Sequence, residues 1–433
     1  MSDVFSLLHP QLQEFLAERD WKPTPVQEQA IPELIDGGER LLIAPTGSGK
    51  TLAAVLPLLH RCKTEDWKPL SILYITPLRA LNRDVDRRLA ELSEALDLRF
   101  ALRHGDTPTS ERSRQVRRPP HLLVTTPETF QLMFTGHRLR AMLSSVQAVI
   151  IDEVHDLAAS ERGWQLRLGL QRLEALCGRT LQKVGLSATV GNPDHVASWI
   201  SNDSCQPILA PAERTTVLTV ETAPPLTEDE VGAMEMRLSP RAHATFRLLS
   251  EIIEKDPPCL VFVNSRNAAE TVAQRLQTMA PQLTIGVHHG SLAAETRQEM
   301  EENIRNGTLH ALICTSSLEL GIDVGSIRKI VQLESPRSVD RMLQRVGRAD
   351  HRIGGIGRGH LLAWETDGIA ESAVVAHRSH LGAIEDVEWR HSPYSSAATQ
   401  MMLIAQRYKV VRIDDVPVSF SPTDQFAARS RKD

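Results

Sequence analysis

Apolar positions along this chain fall into two rhythms. Short runs of about three to five apolar residues end in polar residues, and between them lie longer segments whose apolar residues recur every three or four positions. The runs LLI (41–43), SILYITP (71–77), HLLVTTP (121–127), the apolar start of AVIIDEVHDL (148–157) and KVGLSAT (183–189) read as buried strands. The intervening segments read as helices. Among them are residues 1–20, with Leu7, Leu8, Leu12, Phe15 and Leu16 at helical spacing, a helix through IPELI that stops at Gly37-Gly38, and one from Leu78 to about Leu96. Strands alternating with helices at this spacing predict a parallel sheet covered on both faces.

The pattern fades between about 206 and 240, where prolines at 207, 211, 224, 225 and 240 share the stretch with TEDE. A domain boundary is expected there. From 241 the alternation returns: the helix RAHATFRLLSEIIEK, the strand CLVFVNS (259–265), a helix from Asn267 to Met279, LTIGVHHGS, a helix from Glu295 to Arg305, then ALICTSS, KIVQL and GHLLAW. The expectation is two α/β domains, an internal repeat of fold without repeated sequence. Residues 386–433 differ: SSAATQMMLIAQRY reads as one amphipathic helix, KVVRIDDVPV as a strand, and the last dozen residues as a mobile polar tail.

Composition narrows the class without naming it. At 433 residues, 41% hydrophobic and 24% charged, the chain has the make-up of an ordinary soluble protein of two or three domains. No apolar run approaches 18 residues and no basic-then-apolar leader opens the sequence, so the expected location is the cytoplasm. Five scattered cysteines, at 62, 177, 205, 259 and 314, form no metal-ligand cluster and suit a reducing compartment. A net charge of −5 excludes a uniformly basic coating protein but not a local groove. With aromatics at 4%, base stacking is not the expected main mode of strand binding.

Chemistry enters at APTGSGKT (44–51), between a strand and a helix. A strand, a glycine-bearing turn and a helix N-terminus together aim backbone N–H groups and a helix dipole at one anion. Pro45, Thr46, Gly47, Ser48 and Gly49 would line a triphosphate, Lys50 would reach its β- and γ-phosphates, and Thr51 would hold Mg²⁺. Ala44 stands where the general P-loop pattern has its first glycine. A hundred residues on, Asp152 and Glu153 end a buried strand, where open α/β sheets bind ligands. Asp152 is expected to hold the Mg²⁺ through water and Glu153 to orient and deprotonate the attacking water. An isolated acid pair at a strand end is more often merely solvated; behind a P-loop the catalytic reading is preferred.

In order, these pieces resemble the motif series of superfamily 2 helicases across about residues 20–365. WKPTPVQ is similar to the Q motif, in which Gln27 would read the adenine edge. APTGSGKT, DEVH and SAT (187–189) resemble motifs I, II and III. TPLRAL (76–81) and VTTPE (124–128) resemble motifs Ia and Ib. LVFVNSR (260–266), TSSLELGIDVG (315–325) and QRVGRADHR (344–352) resemble motifs IV, V and VI. HGDTPTSER, SATVGNPDHVASWI, SLELGIDVG and SPRSVDRMLQRVGRADHR are similar to the phrasing of the Lhr, or large helicase-related, group. The DEAD-box group follows its acid pair with Ala-Asp, whereas Val154-His155 follows here.

The resemblance implies an α/β fold of two tandem RecA-like parallel-sheet domains, 1–208 and 209–385, with a short helical extension at 386–433 that would begin a winged helix. It implies ATP and Mg²⁺ as cofactors and translocation on single-stranded DNA or RNA with 3′ to 5′ polarity. Two alternatives stay open, a translocase or remodeller that separates no duplex and a slow nucleotide-gated clamp. Arg348 would be the arginine finger, an element worth roughly 10³ to 10⁵ in rate. Where the family has a second finger this chain has His351, so either Arg352 substitutes, the preferred reading, or one finger acts; Arg345 is a weaker candidate. Ser187 and Thr189 would relay nucleotide state, His155 and Gln344 would bridge the domains, and Asp323 would sit near the ribose and metal. Thr76, Arg79, Thr125 and Thr126 in the first domain, and Arg266, His289, Thr315 and Ser316 in the second, match phosphate-contacting positions that hold a strand without reading its sequence. The basic run ERSRQVRR (111–118) reads as a solvated face.

Overall fold

In the computed structural model, residues 3–45, 47–77, 83–201, 204–210, 216–318, 327–348, 357–389 and 394–408 are described. The chain divides into two units, one holding Met1–Ala44, Ser48–Pro211 and Asp386–Asp433, the other Pro45–Gly47 and Ala212–Glu385. In the first unit the elements run α1 (Pro10–Glu18), α2 (Pro25–Ile35), β1 (Arg40–Ile43), α3 (Lys50–Thr64), β2 (Ile72–Ile75), α4 (Arg83–Ala95), β3 (Phe100–Arg103), α5 (Thr109–Arg117) and β4 (Leu122–Thr125). They continue with α6 (Pro127–Met133), α7 (His137–Leu143), β5 (Ala148–Ile151), α8 (Val154–Ala158), α9 (Glu161–Cys177), β6 (Gln182–Ser187), α10 (Pro193–Ile200) and β7 (Gln206–Leu209).

These seven strands form one parallel sheet in the order β3-β4-β2-β5-β6-β1-β7. Successive side chains on a strand point to opposite faces. Leu42, Tyr74, Val124, Ile150 and Leu186 therefore enter one core with the helices α1 to α4, and Leu41, Ile75, Leu123, Ile151 and the flanking Val154 enter the other with α6 to α10. Covering both faces is why the strands read as continuous apolar runs rather than alternating ones.

The second unit comprises β8 (Thr216–Glu221), α11 (Thr227–Met236), α12 (Pro240–Lys255), β9 (Cys259–Phe262), α13 (Arg266–Met279), β10 (Ile285–His288), α14 (Ala294–Arg305), β11 (Ala311–Cys314), β12 (Lys329–Leu333), α15 (Val339–Val346), β13 (Gly357–Leu362) and α16 (Thr366–His380). Its sheet is parallel in the order β10-β11-β9-β12-β13-β8. Strand for strand this repeats the order of the first sheet, less the terminal β7.

Four differences from the sequence reading have physical causes. The helix expected over 1–20 is broken: a 3₁₀ turn at Val4–Leu7 precedes α1, whose first residue is Pro10, which cannot continue a helix begun before it. The stretch from 206 to 240 contains β7, β8 and α11. β7 and β8 escaped notice because each is an edge strand, with residues half-buried or exposed rather than a sealed apolar run. α11 is held by its own polar network, in which the buried Asp229 accepts from the Leu226 amide at 2.8 Å, from His243 at 2.8 Å and from Arg247 at 3.1 Å. Burial alone would raise the Asp229 carboxyl, but these donors outweigh it and hold it down at about 2.

The fourth difference is at the C-terminal extension, which returns to the first unit. Asn192 brackets the Val387 backbone, donating to its carbonyl at 3.0 Å and accepting from its amide at 2.9 Å, and the Trp389 ring stacks on His195 at 3.7 Å. α17 (Tyr394–Tyr408) then lies on α9, with Gln400 buried and donating to Gln131 at 2.9 Å and Gln165 at 2.7 Å. The strand expected from KVVRIDDVPV and the polar tail lie outside the described residues. Among the described residues no helix is long and apolar enough to cross a membrane.

Candidate functional site

The turn between β1 and α3 is shaped by its glycines. Gly47 and Gly49 have φ of +83° and +89°, the left-handed region that side chains avoid. A Cβ on Gly49 would sit 2.6 Å from the Gln27 amide nitrogen and 3.1 Å from the Thr24 hydroxyl, so the turn closes only because nothing is there. Gln27 is buried, donating to the Gly49 carbonyl at 3.2 Å while its oxygen accepts from the Thr24 amide at 3.1 Å. Its amide thus pins the start of α3. Lys50 donates to the carbonyl of Ala44, folding its ammonium back over the loop.

Two hydroxyls around this turn, Ser48 Oγ and Thr24 Oγ1, are buried with no hydrogen-bond partner among the described residues. Buried polar groups are rarely left so, and an anion seated on the turn would supply acceptors for both. Thr24 was not singled out from sequence; its signal was its place three residues before Gln27. Thr46 lies outside the described residues.

The acids follow β5. Tyr74 on the neighbouring β2 is fully buried, and its phenol donates to Asp152 Oδ2 at 2.8 Å and accepts from the hydroxyl of Thr51. One phenol therefore ties together the two side chains expected to hold Mg²⁺. Burial, and after it the charge on Asp152, lift the Tyr74 hydroxyl well above its ordinary range, so it stays a donor. Burial, and after it the adjoining Glu153 carboxylate, push Asp152 up, against the Tyr74 hydrogen bond and the Lys50 charge. That is the situation a divalent cation relieves. The fit is to a hard cation with few protein oxygens: no cluster of three or more His, Cys, Asp or Glu among the described residues could cage a metal, and Mg²⁺ keeps waters and phosphate oxygens instead.

Glu153 has φ +49°, a left-handed conformation that costs on the order of 1 kcal/mol for a residue with a side chain. Its amide donates to Asp152 Oδ1 at 3.0 Å, and the chain turns at once into α8. His155 is buried in that helix. Its Nδ1 accepts from the Ala188 amide at 3.4 Å and lies 3.2 Å from Ser187 Oγ, so a neutral ring carries its proton on Nε2. The acid segment and the SAT segment are thereby joined inside one unit. Thr189 is exposed at the end of that segment.

The positions expected to hold a strand gather at adjacent strand ends. In the first unit Thr76 follows β2 and donates its amide to Thr125 O at 3.0 Å, at the end of β4. The Thr125 hydroxyl donates to Arg103 O at 2.8 Å, and Thr126 caps α6, accepting from the Thr129 amide at 3.3 Å. In the second unit Arg266, Thr315 and Ser316 line one open cavity of about 440 Å³ with Asn264, Ser265 and Asn267. His289 is turned inward: its Nε2 lies 2.9 Å from Glu270 and its Nδ1 accepts from the Ser291 amide at 3.3 Å. Arg79, Asp323 and Arg352 lie outside the described residues.

Arg345 and Arg348 are both buried. The Arg345 guanidinium is buried, donates to Gln332 and lies over the Phe262 ring at 5.2 Å, which makes it part of the interior of its unit. Arg348 is buried just past α15, its amide donating to Arg345 O at 3.0 Å; Gln344, also buried, lies within α15.

Comparison with known proteins adds the following. The DEAD/DEAH box helicase model matches residues 24–196, and the helicase conserved C-terminal domain model matches residues 244–354. An ATP-dependent helicase Lhr-Core protein 2 of Thermococcus barophilus is 33% identical over 95% of this chain and 51% of its own length. An ATP-dependent helicase Lhr-Core of Methanothermobacter thermautotrophicus is 34% identical over 89% of this chain and 47% of its own. The structure of Mycobacterium smegmatis helicase Lhr bound to ssDNA and AMP-PNP superimposes with a TM-score of 0.86 at 33% identity, covering 99% of this chain and 57% of that one. The chain spans about half the length of the curated relatives it matches.

Proposed function

The chain belongs to the Lhr family of superfamily 2 helicases, and on that premise we propose that it is an ATP-driven motor that moves 3′ to 5′ along single-stranded DNA or RNA and uses hydrolysis to separate strands. The observation that carries the reading is one of register. Polar residues stand at the ends of the same three adjacent strands in both sheets, β3-β4-β2 in one and β10-β11-β9 in the other, while among the described residues the phosphate turn and the Asp152-Glu153 pair belong to the first sheet, the second having a single acid, Glu334 at φ +62°, after β12. Two strand-holding edges and one nucleotide site are what a motor needs to shift its grip with nucleotide state. The mycobacterial relative, held with ssDNA and AMP-PNP, supports the same pairing of ligands.

In this reading Lys50 and the amides of the turn through Gly49 hold the triphosphate. Thr51 and Asp152, fixed by Tyr74, would hold Mg²⁺, Asp152 through water, and the bound ion would supply charge neutralisation to the triphosphate. Glu153 orients the attacking water and takes its proton, and Arg348 is the residue that brings positive charge to the γ-phosphate, with Arg352 as the second. Ser187 and His155 carry the state of the acids along the SAT segment. Duplex stacking averages about 1.4 kcal/mol per step, within reach of one ATP per base.

The test is ATP turnover by the full chain with and without matched single-stranded DNA and RNA oligonucleotides. Stimulation by either strand, lost in Lys50→Ala, is the expected result; turnover indifferent to strand sinks the reading. Displacement of the short strand from a 3′-tailed but not a 5′-tailed duplex is expected for the polarity. Stimulation without displacement would reduce the motor to a translocase.

A further inference from the structure

Part of the basic run 111–118 is the solvated face its composition suggests, with Arg114, Arg117 and Arg118 exposed, and part of it turns inward. In α5 Gln115 is buried, donating to Leu102 O at 2.8 Å and accepting from Arg103 at 3.1 Å. Arg112 donates to the carbonyls of His104 at 3.1 Å and Gly105 at 2.6 Å, while its Nε is buried without a partner among the described residues. The result is a cavity of about 440 Å³ lined by four arginines, Arg103, Arg112, Arg117 and Arg138, with the hydroxyls of Thr109 and Ser113 and no carboxylate. Arg117 and Arg138 are exposed, and among the described residues neither pairs with an acid; Glu111, the acid on this helix, is taken by Arg114 at 2.8 Å. Burial, and after it the neighbouring charge of Arg112, lower the Arg103 guanidinium. Four like charges around one hollow, with a buried donor left over, form a site short of an anion.

Its place in the sheet identifies the anion. Arg103 ends β3, the edge strand, in register with Thr125 on β4, whose hydroxyl donates to the Arg103 carbonyl. The row of strand ends that begins at Thr76 and passes through Thr125 thus runs out into the arginine cavity. Neighbouring strands lie about 4.8 Å apart, so the cavity is one strand further along the path on which a bound polynucleotide would lie. We propose that this cavity seats backbone phosphates of the same single strand, beyond those held at Thr125 and Thr126. The proposal rests on the strand-binding reading above. Arginine is suited to the role, since its planar fork donates two hydrogen bonds to one phosphate and carries charge at every working pH.

The test compares the full chain with the exposed pair changed, Arg117→Gln/Arg138→Gln, and with the charge-keeping Arg117→Lys/Arg138→Lys. Fluorescent single-stranded oligonucleotides of increasing length are titrated at several salt concentrations. For single strands the slope of log affinity against log salt is about −0.7 per phosphate contact, so losing two contacts flattens it by about 1.4. The ratio of wild-type to glutamine-variant affinity should then grow about sevenfold between 200 and 50 mM salt. It should do so only with oligonucleotides long enough to reach the cavity, the lysine variant restoring most of the slope. Equal slopes in wild type and glutamine variant, or an equal loss at every length, would overturn the assignment while leaving strand binding intact. A wild-type chain that binds no strand at all would instead remove the functional reading and this site with it. Competition by millimolar inorganic phosphate against short and long oligonucleotides alike would mark the cavity as a site for a free anion and also overturn it.

Discussion

Two sheets of one strand order carry different residues at their strand ends in this chain, and the difference lies in their connections. After its first strand, β1, the first sheet enters APTGSGKT, where positive-φ glycines leave the backbone open to an anion. After the corresponding β8, the second enters Thr222-Ala-Pro-Pro, in which two prolines have no N–H to offer a phosphate. The connection from β5 to β6 begins with Asp152 and Glu153, while the matching connection from β12 to β13 carries Arg348. The strands supply a frame and the loops at their C-terminal ends decide what each frame does. Where the residues are of similar kind in both sheets, as at the polar ends of β2 and β4 and of β9 and β11, the strand-holding task proposed for them is the same.

The comparison can be broken most decisively at its charged ends. Arg348→Ala should lower strand-stimulated ATP turnover by roughly 10³ to 10⁵ with nucleotide still bound, measured by steady-state hydrolysis and by binding of a nonhydrolysable analogue. A mild effect would deny the second unit any part in the chemistry. Glu153→Gln should cost about 10² to 10⁴ in kcat and spare strand affinity, because it removes a proton acceptor and keeps the shape. Tyr74→Phe should weaken the apparent Mg²⁺ affinity about 10- to 100-fold, the usual consequence of removing a group that orients metal ligands, and Mg²⁺ titration of turnover reads it.

A smaller effect sharpens the comparison from the other side, since Asp229 belongs to a helix that only the second unit has. Its carboxyl is held at about 2, below the ordinary 3.8, so the stabilisation it gives is complete above the ordinary value and disappears as pH falls towards the lower one. Asp229→Asn should therefore be less stable to denaturant near neutrality, with the gap to wild type closing between about pH 4 and 2. A gap that stays constant through that window would show that the carboxylate charge is not what the network uses. Smallest of all, Thr222→Ala at the turn after β8 should leave nucleotide affinity within about twofold, as for a surface change remote from any ligand. A larger loss would mean that the two turns are not so different.

Much of this was readable along the chain. Fully buried strands such as Ile72–Ile75 and Ala148–Ile151 announce themselves as apolar runs, and Lys50, Thr51, Asp152 and Glu153 stand out as candidates because the glycine turn and the acid pair each follow such a run and occur together. Those are local properties, set by backbone geometry within a few residues. Edge strands β7 and β8 were missed because a strand sealed on fewer sides needs fewer apolar residues. Tyr74 looked like one more core aromatic until β2 was laid beside β5 and its hydroxyl met Asp152. Arg345, the weaker candidate from its place in QRVGR, donates to Gln332 and lies over the Phe262 ring inside its own unit, contacts its place in the sequence does not disclose. Arg112 changed in the opposite sense, from a surface charge to one wall of an arginine cavity. Residue order thus determined the strands, the cradle and the acids, whereas the partners of each polar side chain were decided by which strands became neighbours. Hydrogen bonds and charge pairs act over a few ångströms, and only the folded chain brings positions 74 and 152, or 103 and 125, within that range.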